Sequence, residues 1–502
     1  MIPEPAGLVL APFRGVRYAP DRVSGLAEVT SPPYDVLGAA AAERLRRGDP
    51  HNVVRLTLPT DGTGQGDSRP HDRYGVAGRT LRTWIADGVL APDPNAGLYV
   101  YEEQAHDAPG SRPGAWAGLQ RGLIGAIALT AAAAGIVLPH EGVTPVVVAH
   151  RRKLMEATQA NLEPIFLLYQ GGGAASQLVD EVAQTQPPTI EALTDGVAHR
   201  LWAVTDPARV AAAAADLGCR QAVIADGHHR YAAYLELQAQ RHAAGMGAGP
   251  WDHGLVLLVD SNAYPPRIDP IHRVVADLPP ATAAELAESA FTVRTLPGGT
   301  DLGTALRVLR DAGHAREISL DRSAPGGSAP GESPPGESPP GESAPGESAP
   351  GESPPGESPP GGTAQNGTSL GASRNRTAFL LAGDGAFRLL TDPDPVKLAA
   401  AAPAAPAGRS APRLRFDTSV LHELLLGEIW QIRGDQSMVH HHDHHDAAID
   451  AATPGGTVVI CNPPQVTDVL ALAASGEQMP RKSTSFGPKP RTGLVIRSFA
   501  YG

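Results

Sequence analysis

A carboxylate, two imidazoles and a guanidinium follow one another in the segment Asp226-Gly227-His228-His229-Arg230. An apolar run precedes it, which predicts a strand that turns at the glycine and enters a helix. The first N–H groups of a helix lack partners and lie at the positive end of its dipole, so they favour a phosphate or a carboxylate. We expect Asp226, Gly227 and Arg230 to bind that anion, and His228 or His229 to act as acid or base. The alternative is a capped helix with solvated histidines.

His140 and Glu141 form a second candidate, because either side chain can carry a proton or bind a metal ion. The basic run 151–153 follows, and we expect it to begin a helix, where positive charge opposes the helix dipole. An anionic ligand bound by Arg152 would explain that placement, whereas a solvated basic face is the alternative. Asn161 is a candidate for substrate binding or for capping this helix.

Hydroxyls and amines alternate with proline and glycine in a third segment, residues 479–490. Lys482, Ser483, Thr484 and Lys489 suit phosphate binding, although their spacing is not that of a P-loop. A less specific N-terminal set is expected to line the same cleft, namely Tyr34, Asp35 and Asn52.

Neither the cysteines nor the histidine-rich stretch predicts a required metal. Cys219 and Cys461 alone cannot make a disulfide framework or a zinc site. The run 440–445 could take up free divalent metal, but surface histidine runs are common, so we assign no metal site to it. The sequence also contains no dinucleotide-binding fingerprint, no Gly-x-Ser-x-Gly and no kinase signature set.

Composition limits the class of protein. The 502 residues carry a formal net charge of −12 without a compensating basic block, which argues against a domain that binds nucleic acid by charge. The longest apolar stretches, such as 123–138, are rich in alanine and glycine and are too short for a membrane span. The N-terminus does not resemble a signal peptide. We therefore expect a cytoplasmic protein.

The elements that position these residues alternate along the chain. Strands are expected at 98–102, 164–169 and 254–260, the last of them apolar up to its final residue, Asp260, and therefore buried. Two further strands flank Gly383-Asp384-Gly385, which is a hairpin signal. The alternation predicts an α/β or α+β fold with mixed sheets and flanking helices.

Three units are expected. Residues 326–361 repeat Gly-Glu-Ser-Pro/Ala-Pro with period five and contain no large apolar side chain, which predicts disorder. We interpret residues 322–374 as a low-complexity insertion in a surface loop. The insertion interrupts a C-terminal domain formed by residues 201–321 and 375–502, which follows an N-terminal domain of residues 1–200.

Taken in order, these motifs resemble the uncharacterised bacterial and archaeal family called domain of unknown function 1015. The resemblance rests on Pro12-Phe13-Arg14-Gly15, Pro33-Tyr34-Asp35-Val36, His51-Asn52, Pro139-His140-Glu141, Asn161 with Pro164-Ile165-Phe166, Asp226-Gly227-His228-His229-Arg230, Asp269-Pro270-Ile271-His272-Arg273 and Lys482-Ser483-Thr484. The Asp226–Arg230 box is also similar to the nucleotide-binding box of the ParB/sulfiredoxin superfamily, which implies such a fold for the C-terminal half. The box contains no cysteine, which argues against sulfiredoxin chemistry.

These resemblances imply a phosphate-handling enzyme. The expected activity is a phosphotransferase or phosphatase that acts on a small phosphorylated metabolite, with phosphoserine or serine suggested by the frequent position of family genes beside serine-biosynthesis genes. The alternative is a non-catalytic nucleotide-binding regulator related to partition proteins. Mg²⁺ and nucleotide both remain open as cofactors. We expect the Asp226–Arg230 turn, His140 and Lys482 to share one cleft.

Overall fold

The structure is a computed structural model, and it describes residues 6–60, 72–105, 118–314, 376–402, 416–432, 438–441 and 455–501. The predicted insertion at 322–374 and most of the histidine run at 440–445 lie outside these ranges. Within them, strands and helices alternate as expected, so the predicted mixed α/β fold is confirmed.

The strands are numbered along the chain. They are β1 Leu10–Ala11, β2 Val16–Tyr18, β3 Leu90–Pro92, β4 Leu98–Ala105, β5 Leu119–Ala128, β6 Val137–Leu138, β7 Ala160–Asn161, β8 Ile165–Tyr169, β9 Ile190–Thr194, β10 Val197–Val204, β11 Ala222–Asp226, β12 His253–Asp260, β13 Arg267–Asp269, β14 His272–Val275, β15 Thr292–Thr295, β16 Ala378–Ala382, β17 Arg388–Thr391, β18 Met438–His441, β19 Thr457–Cys461, β20 Ser485–Gly487 and β21 Arg497–Ser498.

The helices are numbered in the same way. They are α1 Leu26–Val29, α2 Ala39–Gly48, α3 Val54–Thr57, α4 Arg73–Ala86, α5 Pro145–Thr158, α6 Ala174–Thr185, α7 Pro207–Leu217, α8 His228–Ala243, α9 Pro280–Ala287, α10 Leu302–His314, α11 Pro395–Ala401, α12 Asp417–Val420 and α13 Val466–Ala474. A π-helix at Leu421–Ile429 continues α12, and one-turn 3₁₀ helices lie at Pro20–Arg22, Tyr34–Val36, Ala132–Ala134 and Pro250–Asp252.

The larger sheet contains nine strands in the order β6-β11-β8-β12-β5-β4-β10-β9, with β1 beside β5. It is mixed, since β8 and β12 are parallel while β11 and β8 are antiparallel. Every residue of 254–260 is buried, as the unbroken apolar run predicted, because side chains from both faces of the sheet are covered. Helices α5 to α8 pack on one face, and α13 with the C-terminal segment packs on the other.

The smaller sheet contains six strands in the order β15-β17-β16-β19-β14-β18 and is antiparallel throughout. The predicted hairpin is present as β16 and β17. Alternate residues of β16 face opposite layers, so that Phe379 packs with α9 and the π-helix while Leu380 packs with α10. Both faces of this sheet are therefore covered.

The predicted boundary at residue 200 falls within β10, and the larger sheet takes strands from both sides of it. The C-terminal segment packs on the larger sheet through Phe486, Leu494 and Val495. Its own strands belong to two separate two-stranded sheets, in which β20 pairs with β13 and β21 pairs with β7. The larger sheet thus meets segments from both halves of the chain, with β1 as one of its strands and the C-terminal segment packed on its face. No helix in the parts of the chain that the structure describes has the length and apolar character that a bilayer crossing requires.

Candidate functional site

The turn between β11 and α8 has the predicted strand, glycine and helix. All five residues of β11 are buried, so Asp226 ends the strand inside the protein. Gly227 has a φ of 98°, a left-handed conformation that glycine adopts without steric cost. A Cβ at this position would meet Nε of Arg230 at 3.1 Å. Helix α8 then begins at His228 without a side-chain hydrogen bond at its N-cap. The first backbone N–H groups of this helix are therefore not capped by the side chain of the N-cap residue.

Four charged side chains form ion pairs beneath this turn, namely Asp35, Asp226, Arg230 and Lys489. Lys489 donates to Asp226 Oδ1 and to Asp35 Oδ2, with both N–O distances 2.5 Å. Arg230 pairs with Asp226 and also donates to the carbonyl of Pro164 at 2.7 Å. Burial opposes ionisation of Asp226, but Lys489 and Arg230 outweigh it and hold the pKa of this carboxyl well below its usual range. The positive charges of Arg230 and Lys489 are therefore matched by carboxylates inside the protein.

A second layer, formed by Tyr34, Arg151 and Glu163, lies behind Arg230. Glu163 accepts a hydrogen bond from the backbone N–H of Tyr34 at 3.1 Å, and the guanidinium of Arg151 lies 4.0 Å from the centre of the Tyr34 ring. Burial raises the pKa of Tyr34 to about 12 and also raises the pKa of Glu163. A cavity of about 20 Å³ lined by Arg151, Glu163, Arg230 and Tyr234 has room for one water molecule.

Three imidazoles lie above the turn. The rings of His140 and His228 are 4.5 Å apart and nearly perpendicular. The backbone N–H of His140 donates to Nε2 of His228 at 3.3 Å, and the backbone N–H of Thr144 donates to Nε2 of His229 at 3.0 Å. Both acceptor rings are therefore neutral, with the proton on Nδ1.

The surroundings keep these rings uncharged. Burial lowers the pKa of each of His140, His228 and His229. The neighbouring imidazole of His140 lowers the pKa of His228 further, and the ammonium of Lys482 does so for His229. At neutral pH the three rings thus act as hydrogen-bonding groups rather than as cations.

Glu141 reaches across to the C-terminal loop. Its Oε1 accepts from the backbone N–H groups of Ser483 at 3.1 Å and Thr484 at 2.9 Å, and from the Thr484 hydroxyl at 2.8 Å. Its Oε2 accepts from the backbone N–H of Lys482 at 3.2 Å. Because the Thr484 hydroxyl donates to Glu141, it accepts from Nε2 of His140 at 2.8 Å. A hydrogen-bonded row thus runs from Glu141 through Thr484 to His140.

Most of the predicted site residues come together. The Asp226–Arg230 turn, His140 and the 482–484 loop form one cluster through the contacts given above. The cluster contains these predicted residues: Tyr34, Asp35, His140, Glu141, Asp226, Gly227, His228, His229, Arg230, Lys482, Ser483, Thr484 and Lys489. Arg230 is 5 % exposed and turns inward to Asp226, so its direct contact with an anion stays a prediction.

Arg152 does not join this cluster. It binds Glu156 at 3.2 Å, Glu236 at 3.3 Å and Gln240 at 3.0 Å, between α5 and α8. Helix α5 begins at Pro145 and not at the basic run. The prediction that positive charges lie at the N-terminus of this helix is therefore wrong. Proline is common at the first helical position because its missing N–H is not needed there.

Two asparagines have structural partners. Asn161 accepts from Nη1 of Arg497 at 3.0 Å and from the backbone N–H of Leu255 at 3.2 Å. Asn52 donates to the carbonyls of Glu28 and Thr30 at 2.6 and 3.1 Å. Both side chains are almost fully buried, and their bonds to backbone and to the Arg497 side chain join neighbouring segments of the fold rather than reach the cluster.

Residues outside the predicted set also contribute. Arg151 and Glu163 form the layer behind Arg230, and Arg273 reaches the C-terminal loop from the smaller sheet. Arg273 is fully buried and donates to the carbonyls of Ile271 and Lys482 at 2.7 and 2.8 Å. The sequence signal for Arg273 was its place in the Asp269–Arg273 motif. No local sequence pattern indicated that this motif contacts the loop of residues 482–484.

Among the described residues, no group of three or more His, Cys, Asp or Glu side chains is arranged to hold a metal ion. The carboxylates of Asp35 and Asp226 already share the ammonium of Lys489. Mg²⁺ is therefore not assigned to the side chains of this cluster.

Residues 10–405 match the family described as "Protein of unknown function (DUF1015)". The chain belongs to the DUF1015 family. The comparison with curated proteins gave no match. Among solved structures, the chain is similar to a free serine kinase in complex with AMP, with 13 % identity over 72 % of this chain and 88 % of that one and a TM-score of 0.32.

Two further solved structures are similar to this member of the DUF1015 family. A conserved hypothetical protein from Pyrococcus furiosus is 12 % identical over 73 % of this chain and 94 % of its own, with a TM-score of 0.32. SbnI from Staphylococcus aureus with a C-terminal truncation is 10 % identical over 72 % and 83 %, with a TM-score of 0.28. At such TM-scores these likenesses carry no argument about function, and the similarity to the ParB/sulfiredoxin superfamily stays a prediction.

Proposed function

We propose that this DUF1015 protein is a phosphate-handling enzyme, a phosphotransferase or phosphatase, acting on a small metabolite at the cluster around the β11–α8 turn. One observation carries the proposal: uncharged imidazoles and the Glu141 carboxylate meet at the start of a helix that has no side-chain cap. A helix start attracts a phosphate group, and neutral rings beside it can donate further hydrogen bonds to that anion.

The imidazoles would bind the phosphoryl group as donors. Since Nε2 of His228 and of His229 each accepts a backbone hydrogen bond, each ring retains its Nδ1–H for a ligand. The ammonium of Lys482 adds positive charge beside His229. Such fixed donors stabilise the charge that develops on a transferring phosphoryl group.

Glu141 is the proton acceptor in this proposal. The metabolite hydroxyl oxygen forms a bond to phosphorus, and the bond from phosphorus to the leaving oxygen breaks with its electron pair going to that oxygen. The hydroxyl proton passes to the carboxylate of Glu141. With water in place of the metabolite hydroxyl, the same step is hydrolysis, so the nucleophile decides between phosphotransferase and phosphatase. Serine or phosphoserine is the metabolite that the family resemblance favours.

A nucleotide-binding regulator is the second candidate. Exposed valines flank the cluster, since Val36 follows Asp35, Val143 precedes the residue whose N–H donates to His229, and Val146 lies in the first turn of α5. Apolar side chains beside a phosphate site suit a nucleoside. This candidate predicts nucleotide binding without turnover.

The test is phosphoryl transfer measured by ³¹P NMR, with ATP or ADP as donor and a panel of hydroxyl metabolites that includes serine, together with phosphate release from phosphoserine. His229→Ala is expected to lower the rate by about 10²–10³-fold, the usual effect of removing one fixed donor to a developing charge. His150→Ala is the matched control, because His150 lies against Tyr74, outside the cluster, and its rate should equal that of the unmodified protein.

No turnover with any member of the panel, together with nucleotide binding, would favour the regulator. Equal rates for the His229 and His150 variants would remove His229 from the site and contradict the proposed geometry.

A further inference from the structure

The carboxylate of Glu141 occupies a site built from the backbone of the C-terminal loop. Three consecutive N–H groups, those of residues 482–484, and the Thr484 hydroxyl donate to it. Three of these bonds end on Oε1 and one ends on Oε2, so together they occupy most of the about four lone-pair positions of the carboxylate. In this state both oxygens of Glu141 are engaged by the loop, so a substrate proton would have to compete with these bonds.

The loop has the geometry of an anion site. Lys482 is a non-glycine residue with a φ of 59°, the left-handed conformation that turns successive N–H groups toward one point. Nη1 of Arg481 donates to the hydroxyl of Thr144 at 2.5 Å, and the backbone N–H of Thr144 donates to His229, so the positive charge of Arg481 lies beside this cluster. After burial, the ammonium of Lys482 is the next cause that lowers the pKa of His229. The chemistry of this loop therefore suits an oxyanion, and its present occupant comes from the chain itself.

We propose that Glu141 is an internal stand-in for a phosphoryl group, and that a bound phosphoryl group displaces its carboxylate from the backbone N–H groups of residues 482–484. The displaced carboxylate regains its free lone pairs and becomes the proton acceptor. Binding of the phosphorylated ligand and availability of the base are thus a single event. This inference rests on the proposed function, and it adds how the base is kept inactive without ligand.

The loop keeps its shape without the carboxylate. The backbone N–H of Met479 donates to the carbonyl of His140 at 2.7 Å, and the Ser483 hydroxyl donates to the carbonyl of Pro480 at 2.5 Å. Arg273 holds the carbonyl of Lys482 from the other side. Since these bonds do not involve the side chain of Glu141, its departure leaves the three N–H groups in place for another anion.

The test compares the full-length protein with its Glu141→Ala variant, using inorganic phosphate as the probe. Affinity is measured by calorimetry, and protection of the 482–484 amides by hydrogen exchange with mass spectrometry. We expect the variant to bind phosphate at least about tenfold more tightly, because an apparent Kd equals the intrinsic value divided by the fraction of molecules whose site is empty. Without phosphate, the 482–484 amides of the variant should exchange faster, and phosphate should restore their protection.

Asp206→Ala is the matched control. Asp206 is likewise a carboxylate that accepts from two backbone N–H groups, at the start of α7. Its removal uncovers helix N–H groups but should leave phosphate affinity and protection of residues 482–484 unchanged. Glu141→Gln keeps the shape and loses the charge, so it should fall between the unmodified protein and Glu141→Ala and provides the comparison if the alanine variant does not fold.

Unchanged or weaker phosphate binding in the Glu141 variants, or 482–484 amides that phosphate does not protect, would overturn the inference. These outcomes are separable from a failure of the proposed function. Displacement of Glu141 from the loop by phosphate, without any phosphoryl transfer, would support this inference and contradict the proposed enzymatic function. Phosphoryl transfer without protection of the 482–484 amides would support the proposed enzymatic function and contradict this inference.

Discussion

Lys489 offers the sharpest test of the charge cluster. Its ammonium lies 2.5 Å from an oxygen of Asp226 and 2.5 Å from an oxygen of Asp35, and its side chain is 12 % exposed. Lys489→Met keeps the length of the stem but removes the charge. Removal of one partner from a buried ion pair costs about 3–5 kcal/mol because the remaining charge stays buried. We expect a loss of this size in the free energy of unfolding.

Urea unfolding followed by circular dichroism gives this free energy. Lys397→Met is the matched control, because Lys397 donates to a backbone carbonyl at an exposed site on the smaller sheet's domain, and surface changes usually stay within about 0.5 kcal/mol. Asp35→Asn should cost less than Lys489→Met, since Lys489 then retains Asp226. The double variant should lose less than the sum of the single losses, because neighbouring charges couple. Additive losses, or a loss below about 1 kcal/mol for Lys489→Met, would refute this account.

The pH dependence of this effect has a defined sign. Lys489 and Arg230 outweigh burial and lower the pKa of Asp226 in the folded chain, whereas the unfolded carboxyl titrates near about 3.9. The stabilisation is therefore fully present above that pH and is lost as the pH falls below it. The difference between the unmodified protein and Lys489→Met should be constant from neutral pH to about 5 and shrink below about 4. A difference that instead grows in acid would contradict the ion pair.

Three further predictions concern the surroundings of the cluster. Gly227→Ala should lose about 1–2 kcal/mol of folding free energy because of its left-handed conformation. It should also lose activity, because the new Cβ pushes Arg230. Gly245 is left-handed too but has open space around it, so Gly245→Ala should lose stability alone. Because burial lowers the pKa of all three imidazoles, stability should fall as the pH drops below the unfolded histidine value of about 6.5; urea unfolding at pH 5.5 and 7.5 measures this, and equal values would contradict it. Arg151→Ala should lower phosphoryl transfer through the layer around Tyr34, while Arg152→Ala, on the α5–α8 surface, should leave the rate unchanged.

The local part of the site was predictable because it is encoded in adjacent residues. An apolar strand, a glycine and a polar helix start specify the β11–α8 turn within ten residues, and the structure has that turn. The buried strand at 254–260 was predictable for the same reason, since an unbroken apolar run needs cover on both faces. Local pattern therefore gave the candidate residues and their elements.

The choice of Arg152 over Arg151 shows where local pattern fails. Successive residues of a helix point about 100° apart, so an error in where α5 begins leaves open which arginine faces the cluster. Thr144-Pro145 was a usable signal, because proline marks a helix start, and α5 does begin there. With that start, the helix runs through the basic residues instead of beginning at them.

That these distant segments lie close together was expected, but the individual long-range pairs were not predictable. Lys489 meets Asp35 across most of the chain, and Glu141 meets Ser483 in the same way. Opposite charges attract without regard to sequence order, and no periodicity selects one partner among many. The side chains of Asn52 and Asn161 illustrate the converse, since buried amides that bind backbone look in sequence like amides that bind substrate.

The site therefore exists only when distant segments fold together. The match to the family ends at residue 405, yet the segment beyond it supplies Lys489 to Asp226 and the backbone donors to Glu141. That segment is held by β20 on β13, by β21 on β7 and by buried side chains such as Phe486. A ligand that binds this site binds the folded chain alone, so it must stabilise the fold by RT ln(1 + [L]/Kd). Stabilisation by phosphate that disappears when β20 is disrupted would thus tie the C-terminal segment to the site.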